Sequence, residues 1–151
     1  MKAGFIAIAA TCILIALPSC GGGDKGGVDA SGWPQFSGEA DGKDSPKKVM
    51  EDQITYLEAM TTVLEKVADG DDASQAADKM GELGRAGDTL YARRDKLFKK
   101  LSSADLQELV KEHQNGLTNA TMKMTLAIKK LQESGNATDE LINAVMNMKN
   151  N

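Results

Sequence analysis

The chain has 151 residues, with 22 acidic against 18 basic side chains for a net charge of −4, and only 4% of its residues are aromatic. That acidic balance excludes the basic footprint of a nucleic-acid binder, and two cysteines with a single histidine supply neither a disulfide framework nor the paired ligands of a zinc site. Few aromatics also favour helices over sheet, because strands draw on aromatic and β-branched residues.

The chain opens on Lys2 and then an uncharged apolar run from Ala3 to Leu17. This is the order of a secretory signal. The run is shorter than the ~20 residues a helix needs to cross the hydrocarbon core, and Pro18 and the glycines after Cys20 interrupt any helix there. The run ends Leu17-Pro18-Ser19-Cys20, which resembles the lipobox of bacterial lipoproteins, with Pro18 the less usual residue at its place. The resemblance implies cleavage between Ser19 and Cys20, removal of residues 1–19, and a diacylglyceryl group on the Cys20 thiol. Cys12, in the apolar run with Ala9 three positions before it, fits the pattern poorly. Two or three acyl chains on one residue hold firmly where a single chain does not. With Lys2 removed, 17 basic residues face 22 acidic ones. No polybasic patch assists the anchor, and the acyl chains alone are expected to bind the membrane. Gly21, rather than Asp, follows the cysteine, which by the sorting pattern of Gram-negative lipoproteins implies the outer membrane. The expected location is therefore the cell membrane or outer membrane, with the domain facing the periplasm or exterior.

Residues 20–44 are expected to be a flexible Gly-rich tether, with glycine at 21, 22, 23, 26, 27, 32, 38 and 42. Such a segment buries too little apolar surface to offset its ordering entropy. As a coil it would span ~25–30 Å on average and ~80 Å when stretched. Trp33-Pro34-Gln35-Phe36 stands out within it. Trp33 and Phe36 read either as packing locally on the domain or as a docking motif for a partner. The tetrapeptide is similar to the opening of some bacterial quinoprotein-type β-propellers, but nothing downstream resembles propeller blades.

Residues 45–151 read as a helical bundle. Ser45-Pro46 pairs an N-cap with a residue preorganised for the first helical position. Apolar stripes then run through Met50, Ile54, Leu57, Leu64 and Ala68, and through Val49, Tyr56, Met60, Val63 and Val67. Asp69-Gly70 ends this helix, and Asp72, with Gln75 at capping-box spacing, opens the second. Its stripe is Ala76, Met80, Leu83, Gly87, Leu90, Leu97 and Leu101, flanked by Ala77, Gly84, Tyr91 and Phe98. Ser102 or Ser103 caps a third helix, with Leu106, Val110, His113, Leu117, Ala120, Met124, Ala127 and Leu131 at 3-4 spacing. Ser134-Gly135-Asn136 stops it, and a short fourth helix carries Leu141, Ile142, Val145 and Met148. The expected fold is all-α. It is an antiparallel three-helix bundle, made of a long hairpin of helices two and three plus helix one, with a short fourth C-terminal helix. Its middle part loosely resembles small uncharacterised helical bacterial lipoproteins, a group that supplies no activity to carry over.

Candidate chemistry is sparse. His113 lies on an apolar stripe and reads as a core or boundary histidine with one hydrogen bond. In the alternative, a small-ligand, haem or metal carrier, the bundle loosely resembles cytochrome b562-like proteins. That resemblance implies a Met on the first helix, here Met50 or Met60, and a His on the last, where this chain has none. Met122 and Met124, like Met146 and Met148, are two apart and point to different sides of a helix, so they read as core filling rather than as a copper site. An EF-hand loop starting at Asp69 would want Gly and Glu where Ser74 and Met80 stand. Gly81, Gly84 and Gly87 each cost ~1 kcal/mol relative to Ala within a helix, so a close neighbour or a recessed partner-binding face is expected there. Arg85, Arg93-Arg94 and Lys99-Lys100 read as a salt-bridged solvent face. No cofactor, metal site or catalytic set is expected. The expected function is a non-enzymatic interaction or structural module of the cell envelope, tethered by acylated Cys20 and acting on an envelope protein partner, with no nucleic acid.

Overall fold

The computed structural model describes residues 27–40 and 42–147; the leader, Ser19, Cys20 and Met148 lie outside the described residues. Four helices account for most of these: α1 (Pro46–Ala68), α2 (Ala73–Phe98), α3 (Ser103–Ser134) and α4 (Asp139–Asn147). Each boundary has a local cause. The Ser45 hydroxyl accepts from the Lys48 amide with Pro46 in the first turn, and Gly70, at φ +111°, turns the chain after α1. The Asp72 carboxylate accepts from the amides of Ser74 and Gln75 to open α2. Ser102 and Asp105 form a reciprocal capping box at the start of α3. Gly135, left-handed at φ +73°, ends it. Among the described residues no helix is long and apolar enough to cross a membrane.

The all-α bundle is as the periodicity predicts, but its pairing differs. α1 is the hub, packing most extensively on α3 and then on α2, while α4 packs on α2. Helices α2 and α3, expected as the paired hairpin, each lean on α1 instead. Small residues explain the preference. α3 buries Ala120 and Ala127, and a methyl added at Gly116 would come within 2.6 Å of Ile54 Cδ1, so small residues of α3 leave room for the side chains of α1. The larger residues beside that narrow strip stay on its rim. Leu106, Leu117 and Met124 are half-buried, and Val110 and Ile142, expected inside, are exposed. The core itself collects Val49, Tyr56, Met60, Val63, Leu64 and Val67 of α1 with Ala76, Met80, Leu83 and Leu90 of α2 and Leu131 and Leu141 from the C-terminal half.

A second difference concerns the segment before α1. Residues 27–40 and 42–44, expected as part of a free tether, lie against α1 and α2 as an extended arm. Trp33 is 4% exposed and belongs to the core cluster, with Phe36 packed on its edge. The packed unit therefore includes residues 27–40 and 42–44 in addition to the helices. Burying a tryptophan and a phenylalanine supplies the apolar area that the surrounding glycines lack.

Candidate functional site: an aromatic arm clasped to the bundle

The arm starts as a small closed turn. The Asp29 carboxylate accepts from the amides of Ser31 and Trp33 at 2.9 and 3.0 Å. The Gln35 amide donates to the Gly27 carbonyl at 2.8 Å, and Val28 and Pro34 face each other in an antiparallel bridge. This presents Trp33 to the corner between the end of α1 and the start of α2. There its indole N–H donates to Gln75 Oε1 at 3.3 Å, and Lys66 Nζ lies 4.9 Å from the ring centroid. Lys79 of α2 clasps the same turn from below, 2.8 Å from Asp29 and 2.9 Å from Glu82. The hydrogen bond from Lys79 holds Asp29 below its ordinary carboxylate value, and Asp29 in turn holds Lys79 above its own.

Past the turn, the arm descends along the groove between α1 and α2. Phe36 stacks obliquely on Tyr56 at 5.5 Å between centroids, and Tyr56 meets Tyr91 edge-on at 6.3 Å. Burial holds the Tyr56 hydroxyl protonated well above the usual phenol range. Two glycines make this contact possible. At Gly87 of α2 an added methyl would lie 2.5 Å from the Tyr56 hydroxyl. At Gly38, where φ is +72°, it would overlap the backbone carbonyl of Ala86. The lower end is an ionic clasp. Arg93 of α2 makes two bonds to the Asp44 carboxylate, at 2.7 and 3.0 Å, one to Asp52 of α1 at 2.9 Å, and one to the Gly38 carbonyl. Asp52 is buried, with Lys48 as a further neighbour at 3.8 Å. These acceptors hold the guanidinium above its ordinary value.

The residues singled out from the sequence divide accordingly. Trp33 and Phe36 come together on the bundle as packing residues. His113 is buried on α3, and its Nδ1 lies 2.9 Å from the Leu109 carbonyl. A carbonyl only accepts, so Nδ1 carries the proton in this arrangement. Among the described residues no three of His, Cys, Asp and Glu converge on a point that would hold a metal ion. Of the glycine triplet, Gly87 has its close neighbour, while Gly81 has only the tip of Arg85 nearby, at 3.9 Å. The Asp29, Lys79, Asp44, Asp52 and Arg93 clasp is what sequence reasoning missed. One signal was present: Val49, Asp52, Tyr56, Ala59 and Val63 follow 3-4 spacing, so a carboxylate interrupts an apolar stripe.

Open recesses lie beside the arm and elsewhere on the bundle. One of about 320 Å³ lies between Pro34–Ser37 and α2, beside Lys79 and Glu82. Another, of about 430 Å³, lies between α1 and α3 around Glu58, Glu65 and Lys123. A third, of about 160 Å³, is lined almost entirely by aliphatic side chains of α3 and α4. No protein family, curated protein or solved structure matches this chain.

Proposed function

We propose that the protein is a cell-envelope lipoprotein, a non-enzymatic helical module held at a membrane by acylated Cys20 and acting through contact with an envelope protein. The observation that carries the reading is the leader of Lys2 and an uncharged apolar run, ending in Leu17-Pro18-Ser19-Cys20. The test is direct. Cys20→Ala should abolish incorporation of labelled palmitate and release the protein from the membrane fraction. If the variant still sediments with membranes as the parent does, the anchor is something other than Cys20. The partner half of the proposal is read by crosslinking intact envelopes before solubilisation. Failure to recover one reproducible partner would remove it while leaving the anchor in place.

A further inference from the structure

We propose that the outer face of α3 pairs with the same face of a second copy of this chain, antiparallel and about a two-fold axis at Met122. The pairing does not depend on the lipoprotein reading. α3 is the longest of the four helices, and α1 is the only helix packed extensively on it. His113, Ala120, Ala127 and Leu131 mark its buried side. Half a turn round from them, Lys111, Asn115, Thr118, Met122, Lys129 and Glu133 recur at helical spacing, and all are exposed. Between its two lysines this row carries no charge, in a chain whose residues are 26% charged. Met122 in the row and Leu126 beside it are 59% and 63% exposed. Apolar and neutral side chains on the open side of a long helix suit contact with a second helix, and methionine adapts readily to its own copy across an axis.

The charges at the ends of the row select the geometry. A parallel pair would set Lys111 against Lys111 and Lys129 against Lys129. An antiparallel pair centred midway between the two lysines would set Lys111 against Lys129. With Met122 on the axis, Lys111 instead faces Glu133 of the second copy, twice by symmetry, and Lys129 faces Asn115 of the second copy. Opposite charges at flanking positions fix orientation and register, and like charges disfavour the alternatives. Glu133 is otherwise drawn only to Lys129 of its own helix, at 3.7 Å.

The remaining exposed charges do not oppose this arrangement. On one flank Glu112, Lys123 and Lys130 are paired with Lys47, Glu58 and Asp69, at 2.6, 3.5 and 2.7 Å. The exposed Glu51 and Glu65 belong to α1, one helix back from the paired face. Asp105 and Glu108 fall opposite residues beyond Ser134, where the helix of the second copy has ended. The other flank, Gln107, Gln114, Thr121 and Gln132, is uncharged. From Lys111 to Glu133 the row is ~33 Å long. One helix pair of that length lies at the low end of specific interfaces, about 1,000 Å², so a roughly micromolar or weaker dimer that exchanges readily is expected. The same patch meets itself, so the assembly closes at two copies.

Cysteine crosslinking tests the pairing on the full chain in mild detergent, with Cys12 and Cys20 replaced by serine. Under brief copper–phenanthroline oxidation, Met122→Cys should link to itself several-fold faster than Asn115→Cys or Lys129→Cys. Each of those two stands ~21 Å along the axis from its own copy, beyond disulfide reach. Mixing the Asn115→Cys and Lys129→Cys chains should give a mixed dimer at a rate near that of Met122→Cys. Lys111→Glu should slow Met122→Cys linkage several-fold, and adding Glu133→Lys should restore it. All these positions are exposed on the side away from α1, and unchanged helical circular dichroism checks that each variant is folded. Self-linkage of Asn115→Cys or Lys129→Cys as fast as that of Met122→Cys overturns the pairing, since it marks parallel contact or random collision. Linkage of Met122→Cys no faster than that of Met146→Cys on α4 also overturns it, and leaves the α3 face to a different protein. Either result leaves the acylation of Cys20 and the envelope partner to their own tests.

Discussion

At the scale of single residues, Arg93 is the side chain with most at stake. It satisfies a buried carboxylate on α1, a carboxylate on the arm and an arm carbonyl at once. Removing one partner of a buried pair leaves the other charge uncompensated, at ~3–5 kcal/mol. Arg93→Ala should therefore lower the unfolding free energy extracted from urea titrations by an amount of that order. The double variant Arg93→Met with Asp52→Leu should recover much of the loss, since well-packed apolar residues often replace such a pair without penalty. A double variant as unstable as the single one would show that the clasp does more than neutralise Asp52. The upper clasp responds to pH instead. Asp29 is held below its ordinary value of 3.8, so it contributes stability above that pH, which is lost as pH falls through the depressed value. Lys79 is held above 10.5, so its contribution is present below that pH and lost as pH rises through the raised value. The arm should be tightest between these limits. The urea midpoint read by Trp33 emission should drop as pH falls below about 4, and Asp29→Asn should make that drop smaller. An acid response of unchanged size in Asp29→Asn would assign it to other carboxylates.

At the scale of elements, the glycines within the helices separate by what surrounds them. Replacing a helical glycine by alanine gains up to ~1 kcal/mol from propensity alone. Gly81 has open space around it and should realise that gain. Gly116 meets only the terminal methyl of Ile54, which can rotate away, so alanine there should be neutral or mildly stabilising. A methyl added at Gly87 would lie 2.5 Å from the Tyr56 hydroxyl and 2.8 Å from its ring. Tyr56 is confined between Phe36 and Tyr91, so overpacking at ~1–3 kcal/mol outweighs the propensity gain. Thermal melts should rank Gly81→Ala above the parent and Gly87→Ala below it; the reverse order would mean that Tyr56 is free to move. The sequence displayed the triplet but not this ranking, because spacing along one helix says nothing about which neighbour crosses it. The helices themselves were legible, since each start and stop rests on residues within three or four positions, such as Ser102 with Asp105 or Gly135. Which helix became the hub was not, because apolar stripes on α2 and α3 look equally able to pair. The choice was made by the small residues Gly116, Ala120 and Ala127.

At the scale of the whole molecule, the arm extends the folded unit beyond the four helices. Its composition reads as a tether because glycine content is averaged over the segment, whereas burial depends on where Trp33 and Phe36 happen to land. Trp33 touches the end of α1 and the start of α2 together through Lys66 and Gln75, and it lies within the same cluster as Leu83 and Val63. An arm packed in this way should unfold with the bundle. At neutral pH, Trp33 emission and helical circular dichroism should then give coincident urea transitions, and Trp33→Ala should cost ~3–5 kcal/mol, as for other buried aromatics. If the arm instead detaches on its own, the cost of Trp33→Ala is capped at the free energy of docking. The fluorescence transition would then precede the loss of helix, and the Gln35 amide, bonded to Gly27, would exchange by a sub-global opening.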